Sequence, residues 1–219
     1  MNKVVILVSG GMDSCVTAAS AIDDSYSLSF LHMNYGQRTE VRELKAFHDI
    51  ADYYNVKERL VVDISHLAEI GGSCLTDNKI DVPKADLDNQ YIPVSYVPFR
   101  NANILSAAVS WAEVLKASII YIGAVEEDSS GYPDCRRSFF DAFEKVILTG
   151  TKLGTNIKIR TPLISLSKKE IIEKGKSLNA PLHLTWSCYK REDVPCGECD
   201  SCALRKRGFD LAEADDPIL

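Results

Sequence analysis

The sequence has no long apolar run. No stretch approaches the roughly 20 apolar residues that a membrane-spanning helix needs. The apolar run near the N-terminus, 4–8, is short and enters a glycine turn, so it does not have the form of a signal peptide. We therefore expect a cytoplasmic protein without a membrane partner.

The sequence also lacks an excess of positive charge. It contains 25 Lys and Arg residues against 31 Asp and Glu residues, a formal net charge of −6. Because proteins bind nucleic acids largely by neutralising phosphates, this balance favours a small-molecule substrate and no stable nucleic-acid partner. One local basic group keeps a nucleic-acid role open, and it consists of Lys190, Arg191, Arg205, Lys206 and Arg207.

A disulfide framework is not indicated either, because the cysteines number seven, which is odd, and no secretion signal accompanies them. We expect reduced thiols or metal ligands instead. A group of four, Cys188, Cys196, Cys199 and Cys202, has the spacing C-x7-C-x2-C-x2-C. Four thiolates suit one structural, tetrahedral Zn²⁺ ion, and a [4Fe–4S] cluster is the competing interpretation.

The strongest local pattern lies at residues 4–14. The run 4–8 is typical of a strand buried on both faces, and it stops at the loop SGGMDS, 9–14, before small and apolar residues that suit a helix. Adjacent glycines and a helix N-terminus favour anion binding. No Lys follows the glycines, so this is not a Walker-type loop. The pattern resembles the pyrophosphate loop (PP-loop) of ATP pyrophosphatases, which cut between the α and β phosphates.

Strand and helix patterns alternate along most of the chain. Strands are predicted at 26–33, 60–62, 118–123 and 157–159, and helices at 39–54, 101–115, 139–148 and 167–178. This alternation indicates an α/β fold with a doubly wound, mostly parallel, Rossmann-like sheet. We expect one α/β domain, 1–180, and a small zinc-binding C-terminal subdomain, 181–219, whose acidic end, 212–219, frays.

Residues 64–99 interrupt the alternation. They contain two adjacent glycines and three prolines and show little periodicity. A long irregular insertion in a compact domain usually covers a site or forms an interface. We interpret this insertion as a lid or a dimer contact.

Five motifs together resemble the 7-cyano-7-deazaguanine synthase family over nearly the whole chain. They are SGGMDS at 9–14, NYGQR at 34–38, VPFRN at 97–101, SGYPDCR at 130–136 and CGECDSC at 196–202. The resemblance implies an adenine nucleotide alpha hydrolase-like fold and an ATP-dependent ligase. That enzyme would convert 7-carboxy-7-deazaguanine and ammonia to the nitrile, on the path to queuosine in tRNA. The resemblance also implies a zinc-containing homodimer.

This chemistry explains the need for ATP. A carboxylate is a poor electrophile, so adenylation first provides AMP as the leaving group. Ammonia then gives the amide, and a second adenylation, on the amide oxygen, leads to the nitrile. Amide and cationic donors assist both steps, and Mg²⁺ is expected on the phosphates.

Site residues follow from these motifs. The residues expected at ATP are Val8, Ser9, Gly10, Gly11, Met12, Asp13, Ser14, Cys15 and Lys168. The catalytic candidates are Asp13, which would orient the loop or approach the metal, together with Arg100 and Arg136. Each arginine matches the substrate carboxylate or the α phosphate in bidentate fashion.

The base of the substrate needs its own partners. The substrate candidates are Arg38, Arg100, Asn101, Tyr132 and Asp134. The guanine-type N–H donors need an acceptor, and the candidates are Asp134 or a carboxylate among Glu126, Glu127 and Asp128.

Three other functions stay open. A relative of the family would transfer the adenylated deazapurine carboxylate to another amine. A tRNA-modifying ATP pyrophosphatase would use the same loop, although such enzymes usually carry a basic face and an RNA-binding domain. A nucleotide-binding scaffold with a zinc-ribbon interaction module would lack catalysis, and substrate-dependent formation of AMP and pyrophosphate distinguishes it from an enzyme.

Overall fold

The structure is a computed structural model that describes residues 3–24, 26–88, 91–126 and 131–219. The strands are β1 (Lys3–Leu7), β2 (Ser27–Asn34), β3 (Glu58–Asp63), β4 (Ile119–Tyr121) and β5 (Lys158–Arg160). The helices are α1 (Met12–Asp23), α2 (Glu40–Tyr53), α3 (His66–Ile70), α4 (Arg100–Leu115), α5 (Arg137–Gly150), α6 (Lys168–Ser177) and α7 (Asp200–Leu211). Within the described part of the chain, no helix has both the length and the apolar character needed to cross a membrane.

The five strands form one parallel sheet in the order β3-β2-β1-β4-β5. The strand order reverses between β1 and β4, because β2 and β3 lie on one side of β1 and β4 and β5 on the other. The predicted doubly wound parallel sheet is therefore confirmed.

Two apolar layers cover the sheet, and the alternating side chains of β1 point into both. Val4 and Ile6 pack in the layer that contains residues of α1 and α2. Val5 and Leu7 pack in the layer that contains residues of α4 and α5. Burial on both faces is what the continuous apolar run predicts.

The C-terminal end differs from the prediction. Residues 212–219 were expected to fray, but the Asp216 carboxylate accepts two hydrogen bonds from the Arg205 guanidinium, at 2.7 and 2.8 Å. Both side chains are only 4% exposed. A buried guanidinium requires a counter-charge, so the tail folds back to supply one. Helix α7, which carries Arg205, was not predicted.

The insertion 64–99 contains α3 and a series of turns. Arg38 anchors it by donating to the carbonyl oxygens of Cys74, Asp77 and Ile80, at 2.6 to 2.8 Å. Large apolar side chains of the segment are exposed, including Ile92 and Phe99. A role as lid or dimer contact stays a prediction.

Candidate functional site

A cavity of about 290 Å³ lies at the carboxyl ends of β1, β2 and β4. This is the edge at which open α/β sheets bind ligands, next to the point where strand order reverses. Residues of 7–14 and 122–125 form one side, here called the sheet wall. Residues of 186–189 and 201–205 also line the cavity, and they are here called the C-terminal wall.

Gly10, in the loop 9–14, occupies a position where only glycine fits. Gly10 has φ of +90°, and a Cβ there would lie 2.5 Å from the backbone oxygen of Glu43 on α2. Any side chain would therefore be strained and would collide with α2. Gly11 then caps α1, and Ser14 Oγ donates to the Gly11 carbonyl at 2.9 Å. The first turn of α1 thus begins at the cavity, where its amides have no acceptor within the helix.

His32 contacts the backbone just before this loop. It is 1% exposed, and its Nδ1 lies 2.9 Å from the Val8 carbonyl oxygen. A carbonyl only accepts, so Nδ1 carries the proton. The other ring nitrogen, Nε2, lies 3.1 Å from Asn34 Oδ1, and burial is the main cause that lowers the pKa of His32. Sequence reasoning missed this residue, because a histidine inside a strand resembles ordinary core.

Asp13 and Lys168 form an ion pair at the cavity. The Lys168 Nζ lies 2.6 Å from Asp13 Oδ2. A capping box of Ser167 and Glu170 starts α6 at Lys168, within the helix predicted at 167–178. The other carboxylate oxygen, Asp13 Oδ1, is buried and has no hydrogen-bond partner in the described chain. A spare, desolvated carboxylate oxygen beside a phosphate-binding loop is a suitable ligand for Mg²⁺.

Arg100 presents a positive charge to the cavity from the first turn of α4. Its guanidinium lies over the Tyr35 ring, 5.1 Å from the centroid, and Nη1 donates to the Tyr35 hydroxyl at 3.2 Å. In the described residues no carboxylate forms a salt bridge with it. Its remaining donors are suited to an anionic ligand.

The residues around Arg100 hold one another in place. The Asn101 amide donates to the Asp134 carbonyl at 2.9 Å and to Cys135 Sγ at 3.3 Å. The Asp134 carboxylate is buried and accepts from the Asn101 backbone N–H at 2.9 Å. Tyr132 lines the cavity, and its hydroxyl lies 2.8 Å from Ser95 Oγ in the insertion. Three predicted substrate residues, Asn101, Tyr132 and Asp134, therefore lie together.

Glu43 also lines the cavity, and sequence reasoning did not single it out. Its Oε1 accepts from Thr39 Oγ1 at 2.7 Å, and its Oε2 accepts from Gln37 Nε2 at 3.2 Å. Burial raises the pKa of Glu43 to about 7, although both hydrogen bonds oppose this shift. On the sequence it resembles a solvent-facing residue of an amphipathic helix. The signal available was the polar run Gln37–Glu43 after a strand.

Other predicted site residues lie away from the cavity lining. The Cys15 side chain packs in the apolar core, and burial raises the pKa of its thiol to about 12. The Arg38 side chain is engaged with the insertion. Arg136 is exposed and caps the start of α5.

The acidic residues after β4 divide into two groups. Glu126 is described, and its Oε2 accepts from the Arg137 backbone N–H at 3.2 Å. The candidates Glu127 and Asp128 lie outside the described residues.

Four thiols meet in the C-terminal segment. The sulfurs of Cys188, Cys196, Cys199 and Cys202 all lie within 4.8 Å of one another, and those of Cys196 and Cys202 are 3.9 Å apart. Four sulfurs at about 2.3 Å from one zinc ion would have such spacings. The neighbouring thiols of Cys199 and Cys202 hold the pKa of Cys188 well below its usual range. The donor set therefore fits zinc.

The cysteine cluster is connected to the cavity. Tyr189 and Ser201 line the C-terminal wall. Each is adjacent in sequence to a cysteine of the cluster. Two residues before Cys188, the Trp186 backbone N–H donates to the Gly10 carbonyl at 2.9 Å. The Trp186 ring is covered by the Arg42 guanidinium at 4.6 Å. The segment that holds the metal ligands thus contacts the PP-loop directly.

Comparison with known families decides the assignment. The family described as Queuosine biosynthesis protein QueC matches residues 3–213. The chain belongs to the QueC family. A relative from Chlorobium phaeobacteroides (strain DSM 266 / SMG 266 / 2430), named 7-cyano-7-deazaguanine synthase, is 58% identical over 216 residues, which are 99% of this chain and 96% of the relative. The resemblance inferred from the five motifs is confirmed, and this QueC chain is an enzyme of queuosine biosynthesis.

Two solved structures share the fold of this QueC chain. A predicted tRNA methyltransferase subunit from Methanocaldococcus jannaschii has a TM-score of 0.51 at 17% identity, covering 80% of this chain and 75% of the other. NMN synthetase from Francisella tularensis has a TM-score of 0.50 at 15% identity, covering 98% and 78%. The adenine nucleotide alpha hydrolase-like fold is confirmed.

Proposed function

We propose that this QueC chain is an ATP-dependent ligase that converts 7-carboxy-7-deazaguanine and ammonia to 7-cyano-7-deazaguanine. One observation carries the proposal: the PP-loop and the guanidinium of Arg100, which has no salt bridge in the described chain, line the same cavity. An anion-binding loop beside a positive charge is what adenylation of a carboxylate requires, because both reacting groups are anions. The name of the 58% identical relative supports the same reaction.

ATP binding is assigned to residues 8–15 and Lys168. The first-turn amides of α1 and the hydroxyls of Ser9 and Ser14 would hold the departing pyrophosphate. When its partner Asp13 binds a cation, Lys168 would offset phosphate charge. Mg²⁺ bound by Asp13 Oδ1 would neutralise charge on the phosphates.

The substrate carboxylate is assigned to Arg100. Bidentate binding would direct one carboxylate oxygen at the α phosphate, and pyrophosphate would leave toward the loop. Ammonia would then displace AMP to give the amide, and a second adenylation would precede the nitrile. Asn101 and Tyr132 would shape the pocket for the base, with Asp134 fixing Asn101 from behind. Arg38 and Arg136 would support this pocket from outside the lining.

Zinc is assigned to the four cysteines as one structural ion per chain. All four protein ligands are present, so the ion has no open position for substrate. We divide the chain into an ATP domain, 1–180, and a zinc-binding subdomain, 181–219, that closes the cavity. We also place the enzyme in the cytoplasm as a homodimer in which the insertion 64–99 covers the site or contacts the second subunit, and light scattering tests the dimer.

The reaction is tested with purified protein, ATP, Mg²⁺, ammonium and 7-carboxy-7-deazaguanine, followed by mass spectrometry. We expect the amide first and the nitrile later, with AMP and pyrophosphate formed only when the acid is present. Omitting ammonium should stop the reaction at the adenylate. Failure to form either the amide or the nitrile would refute the proposal, and ATP binding without turnover would favour a non-catalytic module. An arginine control, Arg136→Lys, should retain more activity than Arg100→Lys, because only Arg100 lines the cavity.

A further inference from the structure

The proposed reaction has to dispose of protons, and this inference rests on that proposed function. Ammonia that becomes a nitrile nitrogen gives up all of its protons. One leaves as the C–N bond forms and the C–O bond to AMP breaks with its electrons on AMP. Another leaves as the amide oxygen bonds to the α phosphorus and the bond from that phosphorus to pyrophosphate breaks, with its electrons on pyrophosphate. The last leaves as the second C–O bond to AMP breaks and the triple bond forms. Each step needs an acceptor close to the nitrogen.

Few groups in the cavity can accept a proton at neutral pH. Lysine and arginine are already protonated, and burial raises the pKa of Tyr35 and Tyr132, which therefore keep their protons. Burial likewise raises the pKa of the Cys135 thiol to about 11. Two carboxylates line the cavity in the described chain, and Asp13 is paired with Lys168. Glu43 is the other.

Hydrogen bonds from Gln37 and Thr39 keep the Glu43 carboxylate in one position. In the described chain it forms no salt bridge. The Tyr35 backbone N–H donates to Gln37 Oε1 at 2.8 Å, which fixes the amide so that Nε2 has to face Glu43. Thr39 Oγ1 donates to the other oxygen. Gln37 and Thr39 are themselves buried, at 5% and 2% exposure. Each oxygen of Glu43 keeps a second lone pair.

Glu43 is also close to both groups that the proposed chemistry uses, the PP-loop and the Arg100 cavity. Its own backbone oxygen packs against Gly10 of the PP-loop, and its side chain shares the cavity with Arg100. We propose that Glu43 is the catalytic base that takes one proton in each step, from the attacking amine, from the amide nitrogen and from the nitrogen of the adenylated amide, and passes each to water between steps.

The charges around Glu43 suit this role. Burial is the main cause that raises its pKa to about 7, and Glu40 on the same helix adds to the shift. Arg100 from α4 and the donors from Thr39 and Gln37 lower it. Tyr35, protonated, faces it from the loop after β2. At a pH near its pKa, a base is deprotonated in about half of the molecules, so it can both accept a proton and release one.

The test separates adenylation from nitrogen chemistry in wild type, Glu43→Gln, Glu43→Asp and the same-helix control Glu40→Gln. Exchange of labelled pyrophosphate into ATP, dependent on 7-carboxy-7-deazaguanine and without ammonium, measures adenylation. Amide and nitrile formation in single turnovers measures the proton-transfer steps. We expect Glu43→Gln to keep exchange within about threefold and to lose about 100-fold in amide formation. Glu40→Gln should stay within about twofold of wild type in both.

The pH profile gives a readout that a structural role would not change. Divided by the concentration of free NH3, which itself rises with pH, the rate of amide formation by wild type should rise up to about pH 7. Glu43→Asp should keep that rise at a lower rate, and Glu43→Gln should lose it. Unchanged amide formation in Glu43→Gln would overturn the proposal, and so would an equal loss of exchange and amide formation in both Glu43 variants. Wild type without exchange would instead refute the proposed function itself, and this assignment with it.

Discussion

The two walls of the cavity are held in place by different forces. The sheet wall follows directly from buried strands and the start of α1, where burial of β1 on both faces and backbone bonds determine its shape. The C-terminal wall has no regular element from Thr185 to the start of α7. Four cysteines, the Arg205–Asp216 pair and the bond from Trp186 to Gly10 hold it. Hydrophobic burial thus builds one wall, whereas polar bonds and the cysteine cluster add to the burial of Trp186 in the other.

Removing the metal should have the largest effect, and it should act on the C-terminal wall alone. Cys199→Ser, or a strong chelator, is expected to lower Tm by roughly 10 °C or more, because metal binding to such sites is coupled to folding. Calorimetry measures the shift, and elemental analysis should find zinc. The control is Cys74→Ser, since Cys74 is fully buried but lies outside the cluster. Its metal content should be unchanged, and iron in the wild type would contradict the zinc assignment.

Breaking the buried ion pair should be nearly as costly. Asp216→Ala leaves the Arg205 guanidinium buried without its partner, and we expect a loss of about 4 kcal/mol in the free energy of unfolding, measured in urea. The matched control is Asp210→Ala on the same subdomain. Its partner is Lys206, both side chains are 63% exposed, and the loss should stay below about 0.5 kcal/mol. Equal losses in the two variants would show that the tail contributes no more than a surface contact.

The sheet wall is tested by two glycines with the same backbone angle. Gly10→Ala at φ +90° brings a Cβ to 2.5 Å from a backbone oxygen, whereas Gly154→Ala at φ +88° meets nothing within 4 Å. We expect a loss of about 3 kcal/mol for the first and about 1 kcal/mol for the second. Urea unfolding measures both. Equal losses would mean that α2 moves aside, and that the loop is less rigid than the packing indicates.

The smallest effect concerns pH and Glu43. Its pKa in the folded protein, about 7, lies above the ordinary 4.5, so the folded state binds the proton more tightly. The stabilisation is complete below about pH 4.5 and is lost as pH rises through 7. Relative to wild type, Glu43→Gln should therefore gain about 2 kcal/mol between pH 5 and 8. Parallel stability curves for the two proteins would contradict the raised pKa, and Glu40→Gln should show no such gain.

Features whose residues lie close together in the chain could be predicted from the sequence. The strand, loop and helix at 3–23 depend on residues adjacent in the chain, and so does the capping box that brings Lys168 to the loop. The cysteine cluster could be predicted because its ligand spacing is local. Each of these patterns carries its own physical cause within about twenty residues.

Contacts between distant segments could not be predicted in this way. Glu43 meets the loop through the packing of α2 beside β2, and Trp186 meets Gly10 across most of the chain. Arg38 and Arg136 belong to motifs whose neighbours line the cavity, but their own side chains point elsewhere. A motif identifies a segment near a site, and tertiary packing decides which of its side chains enter.

The bond between Trp186 and Gly10 also bears on synthesis of the chain. It joins residues separated by most of the sequence, so the PP-loop is made early in translation, whereas the C-terminal wall is missing until residue 205 has left the ribosome. At about 5–20 residues per second, the PP-loop is exposed for many seconds before its partner exists. A partly made chain therefore has an incomplete cavity.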